Sequence, residues 1–242
     1  MKNLDFLLDN FISHRGMHNE SIPENSIPAF KKAVNSGYTI ELDVHLTKDN
    51  KIVVFHDHNL KRMCSVNKRI ENCTYEELLK YNLLDTKYKI PLFKEVLSLV
   101  DNKVGLLIEL KVDEFDSKLE QELCKILDNY SGRYAVQSFN IKTIKWFKKN
   151  RPNYIRGLLS SDFEYKKTSN LVKWVGKTLI SDIILKTDFI SYDKRALPSK
   201  YVENKRKTKP ILVWTIKSND DYVKCKNYAD NFICENINTL KK

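Results

Sequence analysis

Glu41 and Asp43 stand two apart in the run Ile40-Glu41-Leu42-Asp43-Val44, and Glu109 and Lys111 stand two apart in Ile108-Glu109-Leu110-Lys111. Side chains two apart on a strand share a face, so each run reads as an apolar outer face backing a charged inner one. Three carboxylates brought together without compensation repel one another and resist desolvation, so they need a cation or must bind protons. An all-oxygen set suits Mg²⁺ or Ca²⁺. Zinc takes nitrogen or sulfur more readily, and no histidine or cysteine is expected on these strand faces. The competing reading ends each acid in its own salt bridge, with Lys111 as one partner.

His14 is followed by Arg15 and Gly16. The glycine lets the chain turn sharply, and the arginine offers a rigid fork matched to phosphate oxygens. Two histidines across one site suit phosphodiester cleavage, because one can take a proton from the nucleophile while the other gives one to the leaving alkoxide. His14 and His56 fit those roles. His18, His45 and His58 have no comparable placement and read as structural or peripheral.

The elements that must position these residues alternate. Short β-branched runs at Phe11 to His14, Thr39 to Val44, Gly105 to Lys111, Tyr134 to Phe139, Ile155 to Leu159, Phe189 to Asp193, Ile211 to Thr215 and Asn231 to Glu235 read as eight strands. Amphipathic stretches fill most gaps, at Ile27 to Ser36, Leu92 to Val100, Asp116 to Tyr130, Ile141 to Asn150, Tyr165 to Ile180, Ser199 to Lys205 and Asn219 to Lys226. The alternation predicts an α/β chain, a (β/α)8 TIM-type barrel with the acids at the C-terminal strand ends, where barrel active sites are built. Ser26 is the expected N-cap of the first helix, with Pro28 in its first turn and Gly37 beyond its last.

One run breaks the pattern. Lys51 to Phe55 follows the second strand too closely for a parallel crossover, so it must fold back as a β-hairpin. A turn centred near Lys48 and Asp49 pairs residue 56 with residue 41, which returns His56 to the level of Glu41. Residues 58–91 form a short insertion over one edge of the mouth, in which Thr74 and Glu77 predict a capping box on a helix at Thr74 to Tyr81. Residues 1–242 are expected to form a single domain.

Composition narrows the class. The first ten residues carry Lys2, Asp5 and Asp9 and lack a signal-peptide core, and no segment is long and apolar enough to span a bilayer, so a cytoplasmic location is expected. Five cysteines without a Cys-x-x-Cys pair fit neither a disulfide framework nor a zinc ribbon. Forty-two Lys and Arg against thirty-one Asp and Glu give a net +11, which favours anionic partners. The densest cluster, Lys205, Arg206, Lys207 and Lys209, reads as a solvated turn, so no nucleic-acid partner is expected. With six glycines the chain has no Gly-x-Gly-x-x-Gly fingerprint or Walker loop, and it also lacks a His-Glu-x-x-His helix and a Gly-x-Ser-x-Gly elbow.

The ordered set Ser13-His14-Arg15-Gly16, Pro23-Glu24-Asn25-Ser26, Ile40-Glu41-Leu42-Asp43-Val44, Val53-Val54-Phe55-His56-Asp57 and Ile108-Glu109-Leu110-Lys111 resembles the glycerophosphodiester phosphodiesterase family. The likeness continues through Ile90-Pro91, Glu95-Val96-Leu97, Gln137-Ser138-Phe139 and Trp214-Thr215. It implies a metal held by Glu41, Asp43 and Glu109, an acid/base pair of His14 and His56, and phosphate contacts from Arg15 and Lys111. It further implies that Glu24 and Asn25 brace or line the site, that Trp214 borders the substrate, and that a glycerophosphodiester yields glycerol 3-phosphate and an alcohol. Two departures stand out. Met63 to Ile70 lacks the family's glycine, and the last strand ends Cys234-Glu235-Asn236 where a Thr-Asp pair is common; neither is expected to touch the core constellation. Rival expectations are a lysophospholipase D on the same barrel and a silent barrel that binds phosphodiesters or nucleic acid. Oligomeric state is left open.

Overall fold

The computed structural model of the chain describes residues 2–240. Among the described residues nine strands run β1 Ile12–His14, β2 Thr39–Leu46, β3 Ile52–Val54, β4 Leu106–Leu110, β5 Tyr134–Ser138, β6 Ile155–Ser160, β7 Phe189–Asp193, β8 Ile211–Ile216 and β9 Asn231–Cys234. All but β3 are parallel, and β1 pairs with both β2 and β9, so the sheet closes into the expected eight-stranded barrel.

Strand parity divides the side chains. Outward residues such as Ile40, Leu42, Ile108 and Leu110 pack with Phe30, Phe93 and Leu123 of the surrounding helices, while Ile190, Tyr192 and Val213 do the same on the opposite wall. Each fully buried side chain of this size contributes roughly 1.5–3 kcal/mol of transfer free energy. The inner face is apolar at the N-terminal end, where Ile12, Leu107, Ala135, Phe189, Leu212 and Ile233 meet Phe6 and Leu7. Those two come from a short helix, Asp5–Leu8, that plugs the barrel bottom and that the sequence pattern did not reveal. Thr39 donates to the Phe6 carbonyl at 2.6 Å and Asn231 to the Leu7 carbonyl at 2.7 Å, fixing the plug. The inward-facing charged side chains Glu41, Asp43, Glu109 and Lys111 sit at the other end.

The first barrel helix, Ile27–Asn35, has the expected punctuation: Ser26 accepts from the Ala29 amide, and Gly37 follows at φ +72. The stretch Tyr165 to Ile180 differs from expectation. Its helix begins only at Asn170, where Ser169 caps the Val172 amide, and a separate helix, Ser181–Leu185, follows a left-handed Leu179. Asp116 to Tyr130 is likewise shorter, Lys118–Leu127.

The hairpin exists, but its register is one residue from the expected one. Val44 faces Val54 and His45 faces Val53, so the ladder extrapolates residue 56 to Leu42 rather than Glu41. Continued in that register, it would turn His56 outward. It is not continued: β3 ends at Val54, Phe55 donates to the Asp43 carbonyl at 3.0 Å, and the chain bends at His56. The bend, not the pairing, brings His56 to the mouth. The insertion packs Leu60, Met63, Ile70 and Leu78 around Phe55 as a satellite core, and the Thr74/Glu77 capping box is formed.

Candidate active site

The C-terminal strand ends enclose a cavity of about 90 Å³ lined by His14, Arg15, Glu41, His56, Glu109, Lys111 and Trp214, with Gln137 and Phe139. Asp43 lies just below it, fully buried. Ligand-competent oxygens of Glu41, Asp43 and Glu109 all fall within 4.8 Å of one another. Two cations reach into this group. Lys111 Nζ lies 2.9 Å from Asp43 Oδ1 and bonds Glu109, while Arg15 Nε lies 3.3 Å from Asp43 Oδ2. Arg15 takes φ +54 and Gly16 φ +78, a turn that also aims the Arg15 amide at Glu41 Oε2, 3.0 Å away.

Three carboxylates against two cations leave one negative charge uncompensated, and the acids register it. Burial, then Asp43 and Glu109, drive the Glu41 carboxyl well above its ordinary range. Glu109 is also raised, chiefly by burial, with Asp43 adding to it. Asp43 is held low: burial opposes this, but Lys111, His56 and Arg15 prevail. An all-oxygen cluster carrying excess negative charge fits a divalent cation.

His14 Nδ1 lies 3.0 Å from Glu235 Oε1. Burial and then Arg15 pull the His14 pKa down to about 4 in spite of Glu235, so the ring is neutral near pH 7. Glu235 sits at about 2; burial would raise it, but the His14 hydrogen bond and Lys217 outweigh burial. The ionised carboxylate therefore accepts the Nδ1 proton and leaves Nε2 as the free ring nitrogen. Glu235 thus touches the core constellation after all, contrary to the sequence expectation. Its position gave the signal, since 231, 233 and 235 alternate onto the inner face of the last strand.

His56 Nδ1 lies 2.6 Å from Asp57 Oδ1, and from there a chain of charged bonds runs back to Arg15. Arg62, in the insertion, donates to Asp57 Oδ2 at 2.7 Å and to Glu24 Oε1 at 2.6 Å, and Glu24 accepts from Arg15 Nη1 at 2.8 Å. Asn25 Nδ2 donates to Asp43 Oδ2 at 2.8 Å. Glu24 and Asn25 therefore brace the site from behind. β2 runs two residues further than expected, so His45 does share the face of Glu41 and Asp43; its Nε2 lies 3.2 Å from the His56 carbonyl. Trp214 lies edge-on to Phe139, with ring centroids 5.7 Å apart, and its indole N–H has no hydrogen-bond partner among the described residues.

The basic cluster lies elsewhere, and two carboxylates offset half of its charge. Lys205 and Lys209 bind Asp182, and Arg206 binds Asp230.

Fold and site together define a TIM-type barrel whose acids, histidines and arginine are gathered at the C-terminal mouth. Residues 14–238 match the glycerophosphoryl diester phosphodiesterase family, and the chain belongs to it. It is 36% identical over 151 residues to a putative glycerophosphodiester phosphodiesterase of Bacillus subtilis, covering 59% of this chain and 62% of that one. It is 35% identical over 159 residues to a glycerophosphodiester phosphodiesterase of Caldanaerobacter subterraneus, covering 61% and 65%. In both, the match spans less than two thirds of the relative. Among solved structures, the glycerophosphodiester phosphodiesterase of Thermotoga maritima superposes with a TM-score of 0.72 at 27% identity, covering 94% of each chain. A phosphodiesterase of Oleispira antarctica, solved with its product sn-glycerol-3-phosphate, gives 0.80 at 21% identity over 94% and 93% and shares the fold.

Proposed function

We propose that the chain, as one barrel domain, hydrolyses glycerophosphodiesters to glycerol 3-phosphate and an alcohol. The observation that carries this is the meeting, at one cavity, of two histidines with carboxylate-held Nδ1 atoms and a buried three-carboxylate cluster at its floor. Glu41, Asp43 and Glu109 are the groups that would hold Mg²⁺ or Ca²⁺. The bound cation would supply charge neutralisation at the phosphodiester oxygens.

The remaining steps belong to the chain's own residues. Arg15 binds and orients the phosphate through its fork, with Lys111 beside it. His14, neutral near pH 7, takes the proton of the nucleophile at Nε2, the nucleophile being water or a hydroxyl of the glycerol itself. The glycerol hydroxyl would first close a cyclic phosphate that water then opens. His56 returns a proton to the leaving oxygen, with Asp57 holding its other nitrogen. Trp214 and Phe139 wall the side away from the carboxylates and exclude water there. An odd number of cysteines, five, with no Cys-x-x-Cys pair supports a reducing, cytoplasmic setting.

The test is release of glycerol 3-phosphate from a panel of glycerophosphodiesters and lysophospholipids with Mg²⁺, Ca²⁺ or chelator. Release that survives thorough chelation removes the cation, and a well-folded His14→Ala or His56→Ala protein with near-normal turnover removes the mechanism. A lysophospholipase D reading has support of its own, from the aromatic wall and from 36% identity over 142 residues to the human lysophospholipase D, across 53% of this chain and 44% of that one. Activity confined to lysophospholipids would select it.

A further inference from the structure

Seven of the eleven large apolar side chains exposed among the described residues fall between positions 165 and 184. The helices there anchor through a few buried residues and expose most of their apolar side chains. A helix on a barrel wall ordinarily buries an apolar stripe and shows a polar one. In Asn170–Thr178 the fully buried residue is Gly176, set so close to the wall that a Cβ would lie 2.3 Å from the Ser161 carbonyl oxygen. Leu171 and Trp174 are 68% and 51% exposed. Its successor, Ser181–Leu185, buries Leu185 and Asp182 and leaves Ile183 and Ile184 at 64% and 65% exposure. An apolar patch of this extent marks a surface that meets something other than water.

Charge selects the occupant. Positions 141–186 hold nine lysines and two arginines against two aspartates and one glutamate, a net +8 of the chain's +11. Glu164 is tied to Lys173, and the buried Asp182 to Lys205 and Lys209. Lys142, Lys145 and Lys149 stand exposed on the helix Ile141–Asn150, which packs beside Ser181–Leu185, and Lys166, Lys167, Lys177 and Lys186 are exposed around the patch. A second copy docked face to face would set one lysine-rich surface against another. An acidic lipid surface satisfies both halves of the pattern, with apolar side chains entering the interface and lysines resting on headgroups.

We propose that this face, built from Asn170–Thr178, Ser181–Leu185 and the lysines of Ile141–Asn150, docks the protein on membranes rich in anionic headgroups. The face starts beside the mouth. Phe139 lines the cavity, Phe163 lies 6.0 Å from it between ring centroids, and Tyr165 follows on the same loop. The proposal concerns where the protein sits and does not rest on the reaction it performs.

The experiment is flotation of the full chain with vesicles of phosphatidylcholine alone or mixed with phosphatidylglycerol, at low and high salt. Binding at least about tenfold tighter to the anionic vesicles, weakened by salt, is expected. A Leu171→Ser, Trp174→Ser, Ile183→Ser, Ile184→Ser protein and, separately, a Lys142→Glu, Lys145→Glu, Lys149→Glu protein should each lose about tenfold in binding. The charge variant leaves the apolar face intact, so it decides the matter if the serine variant melts early. Equal binding to both vesicles, or to neither, overturns the proposal. So does a concentration-dependent dimer in sedimentation that the serine variant abolishes, which assigns the face to a second copy.

Discussion

His14 Nδ1 and Glu235 Oε1 meet at 3.0 Å across the seam where the first barrel strand pairs with the last. Barrel closure thus sets the orientation of a proposed catalytic ring, and the ends of the folded chain must come together before the site exists. Replacing Glu235 by Gln keeps the shape and removes the charge that fixes the tautomer. We expect kcat to fall about tenfold to a hundredfold with little change in KM, since the residue positions the ring rather than touching substrate. Steady-state kinetics on the purified variant checks this, and an unaltered kcat would show that His14 orients itself.

Arg62 offers a second positional test. It is the bridge from Asp57, which holds His56, to Glu24, which holds Arg15. Arg62→Ala should lower kcat/KM about fivefold to tenfold, while Arg62→Lys should rescue little because an ammonium cannot reproduce the fork. The melting temperature should stay within a few degrees, because the side chain is about half exposed and pairs near the surface contribute little. A variant of full activity would reduce the charged chain to decoration of the insertion.

The raised Glu41 carboxyl makes cation binding measurable without any turnover. A carboxyl whose folded pKa is raised favours the fold most at low pH and loses that contribution as pH rises through the folded value. A divalent cation in the cluster reverses the preference, so binding at a pH where Glu41 still holds its proton should expel that proton. Calorimetry in two buffers of different ionisation enthalpy reads that proton. The Glu41→Gln protein should bind more weakly and release less, and identical proton release from it would place the cation elsewhere.

The part of this site that the sequence made legible is the part governed by strand parity. Glu41 and Asp43, and Glu109 and Lys111, are paired by a period of two that needs no tertiary information. His56 arrived for a different reason from the one the pattern suggested, since a hairpin register depends on turn geometry that slips by one residue without leaving a trace in composition. Arg62 and Glu235 were invisible as partners because their contacts span 38 and 221 positions, and no local period reports such contacts. The plug at Asp5–Leu8 escaped for want of length, because four residues cannot show a helical period.

Gly16 is a place where backbone conformation and close packing together should decide stability. Its φ of +78 disfavours any side chain, and a Cβ would lie 2.9 Å from the Ala29 carbonyl carbon. Gly16→Ala should cost about 2 kcal/mol, from strain plus crowding of the helix that begins at Ile27. Urea denaturation measures it. Gly37, with φ +72 and open space around it, is the control, where the same change should cost about 1 kcal/mol from strain alone.

Asp182 gives the acid limb of stability at a point far from the mouth. It is buried and accepts from Lys205 at 2.8 Å, from Lys209 at 2.9 Å and from the Thr187 hydroxyl at 2.6 Å. Burial pushes its carboxyl upward, but Lys205, Lys209 and Thr187 prevail and hold it at about 2. A depressed carboxyl contributes stability in full above its unfolded pKa, near 3.9, and loses it as pH falls through the folded value. Asp182→Asn should therefore destabilise the fold by about 2–4 kcal/mol at pH 7, where two ammonium groups lose their counter-charge. The deficit should shrink as pH falls from about 4 towards 2, because wild type surrenders the same interaction there. Guanidinium unfolding of both proteins at pH 7 and pH 3 makes the comparison, and a deficit that does not change with pH would mean that Asp182 acts as a hydrogen-bond acceptor and not through its charge.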